Sequence, residues 1–210
     1  MSAWWWWLAA LAALWVLRPL FVALVARGFA GAIGNKALAK QPNEIHLTPR
    51  NGLAWADAEA ARALAGPLQA SGFEDAGVFA IPELPGVFVQ LLVHAGDAIT
   101  ACVYEHPKVG HWVELVTRYR DGRSCSFTTS KPTGLDPRPG HPVFHVPEAG
   151  VGDLLARTLA ERPKGELVAA LPSDAAARFE RGWAESLAWR KAHGVKPGEV
   201  ARVAMRRRVA

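Results

Sequence analysis

The sequence predicts an α+β protein in which one N-terminal transmembrane helix precedes a soluble domain, with helices flanking an antiparallel sheet of about five strands. Three observations predict this class. The N-terminal run, residues 3–26, is apolar apart from Arg18. Short β-branched or aromatic runs separated by turn residues occupy residues 78–130, a pattern typical of strands. Alanine-rich segments with helical periodicity lie on both sides of those runs.

Residues 3–26 are predicted to cross a membrane, which makes the lipid bilayer a partner. At about 1.5 Å per residue, a helix of this length spans roughly 36 Å, enough for a hydrocarbon core of about 30 Å. The tryptophans at 4–7 favour the bilayer interface. Arg18 either reaches toward the head groups or marks a contact with another membrane protein.

The charges beside this run predict a single-pass protein of the cell membrane with a cytoplasmic domain. Residues 1–2 carry no charged side chain and form a short extracytoplasmic N-terminus, whereas residues 27–42 form a basic juxtamembrane linker. The positive-inside rule then places the domain in the cytoplasm. The alternative is an exported domain, since residues 30–32 (AGA) match a signal-peptide cleavage site, although no basic n-region precedes the run.

The net charge of +5 is unevenly distributed. Residues 1–51 carry +4 and residues 189–210 carry +6, while residues 52–188 carry −5. A nucleic-acid-binding domain is expected to carry its positive charge on the folded body, so no nucleic-acid partner is predicted. The basic ends instead suit anionic lipid head groups, at about 1 kcal/mol per residue near the surface. The candidate membrane-surface contacts are Lys36, Lys40, Arg206, Arg207 and Arg208.

The soluble domain is predicted to occupy residues 43–195, with a basic helix or tail at 196–210. Residues 43–49 suit an edge strand, and residues 52–72 suit a helix that Pro67 kinks or divides. Strands are predicted at 78–81, 87–93, 98–104, 112–119 and 124–130, and residues 143–146 suit a further short edge strand. Helices are predicted at 152–161, from 173 to about 193, and from Pro197 onward. Ala- and Arg-rich usage indicates a bacterial chain.

The hairpin around Asp121 and Gly122 allows its register to be predicted. A three-residue loop of Arg120, Asp121 and Gly122 pairs Leu115 with Phe127 and gathers apolar side chains on one face. A two-residue loop mixes polar and apolar side chains on each face, so burial selects the longer loop.

The two cysteines, Cys102 and Cys125, lie on strands separated by one other strand if the strands pair in chain order. That separation is about 9.6 Å, which exceeds the reach of a disulfide. The sequence therefore predicts two free thiols in a reducing compartment.

Two stretches hold candidate catalytic residues. Glu105, His106 and His111 lie in the segment YEHPKVGHWVE, where imidazoles and a carboxylate suit acid–base work. Asp136 and His141 lie in the proline-rich segment 131–149, and long loops often carry function.

No metal site is predicted. His141 and His145 have the spacing of a helical zinc pair, but Gly140 and Pro142 disfavour a helix there, and in a strand the two residues are about 13 Å apart. No phosphate-binding or nucleophile motif is present, so the cofactor stays unassigned.

Two functions follow from these observations. The first is an interaction or binding module at the membrane surface. The alternative is a membrane-anchored enzyme or small-ligand binder, with a site built from His106, His111 and the 131–149 loop.

Overall fold

The protein is described by a computed structural model that covers residues 34–50 and 55–207. These residues form two compact units. The sheet unit comprises Pro42–Pro132 and Pro137–Trp189. The terminal unit comprises the described residues 34–41, 133–136 and 190–207. Two ends of the chain that are distant in sequence thus belong to one unit.

The sheet unit is built on a seven-stranded sheet whose strands pair in chain order. The strands are β1 (Thr48–Pro49), β2 (Glu74–Ala80), β3 (Phe88–His94), β4 (Ile99–His106), β5 (Gly110–Arg118), β6 (Ser124–Thr128) and β7 (Val143–His145). The helices of the described residues are α1 (Ala58–Ala70), α2 (Val151–Glu161), α3 (Pro172–His193) and α4 (Pro197–Arg207), and residues 34–39 are helical as well.

The predicted α+β class is confirmed, but the prediction of about five antiparallel strands is wrong. The sheet has seven strands and is mixed, because β7 pairs with β6 in parallel. Loops of a few residues force antiparallel pairing between neighbouring strands. The connection from β6 to β7 runs from residue 129 to 142, and a segment of that length can return the chain to the same end of the sheet.

The predicted membrane-spanning helix also requires correction. In the described part of the chain, no helix is both long enough and apolar enough to cross a bilayer. The segment to which the prediction applied, residues 3–26, lies outside the described residues.

The register predicted for the β5–β6 hairpin is confirmed. Leu115 is paired with Phe127 and Thr117 with Cys125, and the loop of residues 120–122 has Gly122 at a φ of +86°. Glycine adopts this left-handed conformation without the steric penalty that a Cβ atom imposes. The cysteines are free, as predicted, and both are buried.

One face of the sheet packs against α1 and α2. Its core joins Leu68 of α1 and Leu154 of α2 to strand residues such as Val103, Leu115 and Phe127, all fully buried. Pro67 lies inside α1 and does not end it.

The opposite face of the sheet packs against α3. Ala176, Phe179 and Trp183 of this helix pack against the cluster that contains Val89 and Leu91. That apolar contact is made with β2, β3 and β4. Alternation along β5 and β6 places Glu114, Arg118, Ser124, Ser126 and Thr128 on the same face of the sheet, so its β5–β6 side is polar.

Candidate functional site

Glu105 and His111, two of the predicted site residues, are directly opposite each other on β4 and β5. Glu105 Oε1 is 3.6 Å from His111 Nε2. The Glu105 side chain is buried, and its carboxylate accepts hydrogen bonds from the backbone N–H groups of Ala56 and Asp57. A carboxylate beside the first turn of a helix is electrostatically favoured, so Glu105 fastens the start of α1 to the sheet.

His106 does not join that pair. Successive side chains of a strand point to opposite faces, so His106 and Glu105 project to different sides of the sheet. The Nδ1 atom of His106 accepts hydrogen bonds from the backbone N–H groups of Lys108 and Val109. Its ring therefore shapes the β4–β5 turn.

Asp136, a third predicted residue, belongs to the terminal unit. Its carboxylate is paired with Arg202, and Lys196 Nζ is 3.9 Å from it. Arg202 also donates to the Gly134 carbonyl, and Arg190 donates to the Asp136 carbonyl. These contacts fix residues 133–136 against α4.

Glu199 is the centre of this terminal network and is only 1% exposed. Its carboxylate accepts from the Asp136 backbone N–H at 2.7 Å, the Lys196 backbone N–H at 2.7 Å and the Arg190 guanidinium at 2.8 Å. Burial by itself raises the pKa of Glu199, but the two backbone donors and the Arg190 charge outweigh it, so the net pKa is lowered. Glu199 therefore stays ionised inside the unit.

The terminal unit is strongly basic. Its described residues include eight basic and two acidic residues, for a net charge of +6. The sheet unit has thirteen basic and seventeen acidic residues, for a net charge of −4. Among the predicted membrane contacts, Lys36 and Lys40 are exposed. The side chains of Arg206 and Arg207, and the whole of Arg208, lie outside the described residues.

His141, the remaining predicted residue, lies just before β7 in the sheet unit. Its Nδ1 atom is 2.8 Å from the Ser124 hydroxyl. Backbone hydrogen bonds position both residues, because Ser124 N–H donates to the Gly140 carbonyl and His141 N–H donates to the Arg138 carbonyl. The parallel pairing of β6 and β7 thus brings a serine and a histidine into contact.

Charged groups surround the Ser124–His141 pair. Arg118 is directly opposite Ser124 on β5 and donates to the Arg178 carbonyl of α3. Arg138 is 3.5 Å from Glu185 of α3. Burial and the neighbouring Arg138 charge lower the pKa of His141, so the imidazole is neutral near pH 7 and free to accept a proton.

A second polar group lies along the same sheet face. The Tyr104 hydroxyl donates to Glu114 at 3.3 Å, and the Tyr104 ring stacks on Trp112 with centroids 4.6 Å apart. Burial raises the pKa of both Tyr104 and the Cys102 thiol. A protonated thiol is a poor nucleophile, so Cys102 acts here as a core residue. In the described residues, no group of three or more potential ligands is arranged to hold a metal ion.

Sequence reasoning did not single out Ser124, Arg118, Arg190 or Glu199. The signal for Ser124 was its place opposite Arg118 in the predicted hairpin register, which puts both side chains on the polar face. Comparisons of the chain with protein-family models, with curated proteins and with solved structures find no match. Function is therefore inferred from geometry and charge.

Proposed function

We propose that this protein is an interaction module that binds the surface of an anionic membrane through its terminal unit. The observation that carries the proposal is the net charge of +6 on the described residues of that unit, against −4 on the sheet unit. Basic residues from both ends of the chain contribute to one compact unit. A concentrated positive surface is attracted to anionic lipid head groups over about one Debye length.

The cations of the terminal unit whose side chains are described divide into two groups. Arg190, Lys191 and Arg202 are engaged in internal hydrogen bonds, and their role is structural. Lys36, Lys40 and Lys196 are exposed, and the Lys196 side chain is 73% exposed although it lies near Asp136. These three lysines are the side chains to which the proposal assigns the lipid contact.

The predicted catalytic cluster gives less support to the enzyme alternative. Glu105 is engaged with backbone N–H groups, His106 with its own turn, and Asp136 with Arg202. These bonds stabilise the fold and engage the polar atoms of three of the five predicted residues, Glu105, His106 and Asp136. Membrane attachment through residues 3–26 is not part of the proposal, which concerns the electrostatic contact alone.

The experiment compares two lysine-to-glutamine triple variants of the full chain. One carries Lys36→Gln, Lys40→Gln and Lys196→Gln. The matched control carries Lys108→Gln, Lys131→Gln and Lys164→Gln, three exposed lysines of the sheet unit. Both variants lose the same net charge. Partitioning is measured by flotation with vesicles of phosphatidylcholine alone and with vesicles containing phosphatidylserine.

The terminal variant is expected to lose roughly 3 kcal/mol of binding to the anionic vesicles, about 100-fold in partition coefficient. The control variant is expected to change that coefficient by much less. Neutral vesicles provide the baseline for any uncharged contribution to binding. Equal losses in the two variants, or no preference of the wild type for anionic vesicles, would contradict the proposal.

A further inference from the structure

We infer that Ser124 and His141 form a nucleophile–base pair that takes an acyl group from a carboxylic ester. The proposal concerns residues of the sheet unit alone and is independent of the proposed membrane contact. The sequence predicted a site in the 131–149 loop, which contains His141. The sequence did not indicate that the partner of His141 is a serine on a neighbouring strand.

The contact has the geometry that an activated serine requires. A general base must lie within about 2.6–3.2 Å of the proton that it removes, and Ser124 Oγ is 2.8 Å from His141 Nδ1. Ser124 is held in β6 by its pairing with β5. His141 is held by the turn from Arg138 and by the short strand that follows. Two hydrogen-bonded backbone segments therefore position the pair.

The surroundings keep the imidazole in the form that accepts a proton. Both residues are half-buried, and burial together with Arg138 opposes protonation of the ring. Glu185, which pairs with Arg138, favours the charged form that develops when the serine proton is transferred. Two basic side chains, Arg138 and Arg118, thus oppose protonation of the ring, and one acidic side chain, Glu185, favours it.

Arg118 is the group placed to stabilise negative charge. It is directly opposite Ser124 on the adjacent strand, where cross-strand Cβ atoms are about 5 Å apart. Gly182 of α3 lies over the Arg118 guanidinium, and a Cβ atom at that position would be 3.1 Å from Arg118 Nη2. A cation fixed between a helix and a sheet needs no reorganisation as an oxyanion forms.

The reaction requires only the ester and water. Ser124 Oγ forms a bond to the ester carbonyl carbon while its proton passes to His141 Nδ1. The bond from that carbon to the alcohol oxygen then breaks, and the alcohol leaves with the proton from His141. Water, activated by the same ring, hydrolyses the acyl-serine and restores both residues.

The test is covalent labelling of the full chain with an alkyl fluorophosphonate. Ser124 Oγ forms a bond to phosphorus as fluoride leaves, and intact-mass and peptide analysis identify the labelled residue. The wild type is expected to carry one adduct, on Ser124. Ser124→Ala is expected to abolish it, and His141→Gln to slow it by about 100-fold or more, which is the usual contribution of a general base.

Two controls are available at residues close to the pair in the chain. Ser126→Ala removes a serine two positions away on the same face of β6, and His145→Gln removes a histidine whose Nδ1 contacts the Ser130 carbonyl. Both are expected to label at the wild-type rate. Thermal unfolding midpoints verify that each variant is folded. No adduct on wild-type Ser124, or unchanged labelling in folded His141→Gln, would overturn the proposal.

Discussion

Different forces stabilise the sheet unit and the terminal unit, each considered by itself. The sheet unit has two apolar clusters on opposite faces of one sheet. Among the described residues of the terminal unit, only Leu38, Gly134 and Glu199 are buried. At the centre of the terminal unit, the buried Glu199 carboxylate accepts hydrogen bonds from three donors. The sheet unit has apolar clusters in the corresponding role.

This difference shows how a small unit can be strongly basic and still be ordered. Each charge inside the network is neutralised by a partner or by backbone N–H groups, which is the condition for burying ions. The charged side chains paired in this way are those of Arg190, Arg202, Asp136 and Glu199. Lys36, Lys40 and Lys196 remain exposed at the surface, where they are available to an anionic partner.

Phe127→Ala is expected to have the largest effect because it damages the apolar core. Phe127 is fully buried and stacks on Phe144 with centroids 4.7 Å apart. Removing a buried phenylalanine side chain costs about 3–5 kcal/mol, measured as the free energy of unfolding in denaturant. Val109→Ala, at a residue 65% exposed, is the control and should change stability little. A loss below about 1 kcal/mol for Phe127→Ala would show that this core is not the main source of stability.

Glu199→Ala tests the ionic network of the terminal unit. It leaves Arg190 without its carboxylate and two backbone N–H groups without an acceptor, at a cost of about 3 kcal/mol. Hydrogen exchange of the Asp136 and Lys196 amides is expected to accelerate, while exchange in β4 stays slow. Phe127→Ala is expected to accelerate exchange in β4.

The network should also respond to acid. Because the folded pKa of Glu199 is lowered, its contribution is present above the ordinary value of 4.5 and is lost as pH falls through the folded pKa. Wild-type exchange at the same two amides is expected to speed up in that range, after correction for the intrinsic rate. Protection that is unchanged there would contradict the assigned role of Glu199.

Asp57→Ala is expected to have an intermediate effect, because it removes one polar contact from a unit that is stabilised mainly by apolar packing. The Asp57 carboxylate accepts from the backbone N–H groups of Glu59 and Ala60 at the start of α1. Loss of such a cap costs about 1 kcal/mol in the free energy of unfolding. Asp57→Asn retains a cap oxygen and should restore most of the loss. Equal destabilisation by both variants would assign the effect to charge.

The smallest effect is expected at His46 and Glu83, an exposed pair with Nδ1 and Oε1 2.6 Å apart. The hydrogen bond to Glu83 raises the pKa of His46, and the bond from His46 lowers the pKa of Glu83. The His46 contribution is complete below its ordinary value of 6.5 and is lost as pH rises through the raised pKa. The Glu83 contribution is present above 4.5 and is lost in acid.

The pair should therefore stabilise the fold most near pH 5.5. We expect His46→Gln to lower the thermal midpoint slightly at that pH and to have less effect at pH 9. The same difference at both values would show that the charge of His46 does not contribute.

Burial determined which parts of the fold were predictable from the sequence. The β5–β6 register followed from residues such as Leu115 and Phe127, because a slip would expose them. The first residues of β2, Glu74 and Asp75, are polar and exposed, so no apolar pattern marked them. The short edge strand predicted at residues 143–146 is confirmed by β7, but its parallel pairing with β6 depends on the path of a long loop and was not predicted.

The candidate sites were predictable only where local spacing determined them. Glu105 and His111 were grouped correctly because a short turn connects their strands. Ser124 and His141 are seventeen positions apart and meet through the β6–β7 pairing, which the sequence did not predict. The terminal network joins residues 133–136 to the C-terminal helix, and no periodicity connects two such segments.

The most direct test of the basic terminal unit is the salt dependence of vesicle binding by the full chain. Partition coefficients are measured between 50 and 500 mM salt, where screening shortens the Debye length from about 14 Å to about 4 Å. Binding to phosphatidylserine-containing vesicles is predicted to fall steeply, whereas binding to neutral vesicles stays constant. Salt-independent binding, equal on the two kinds of vesicle, would contradict the account.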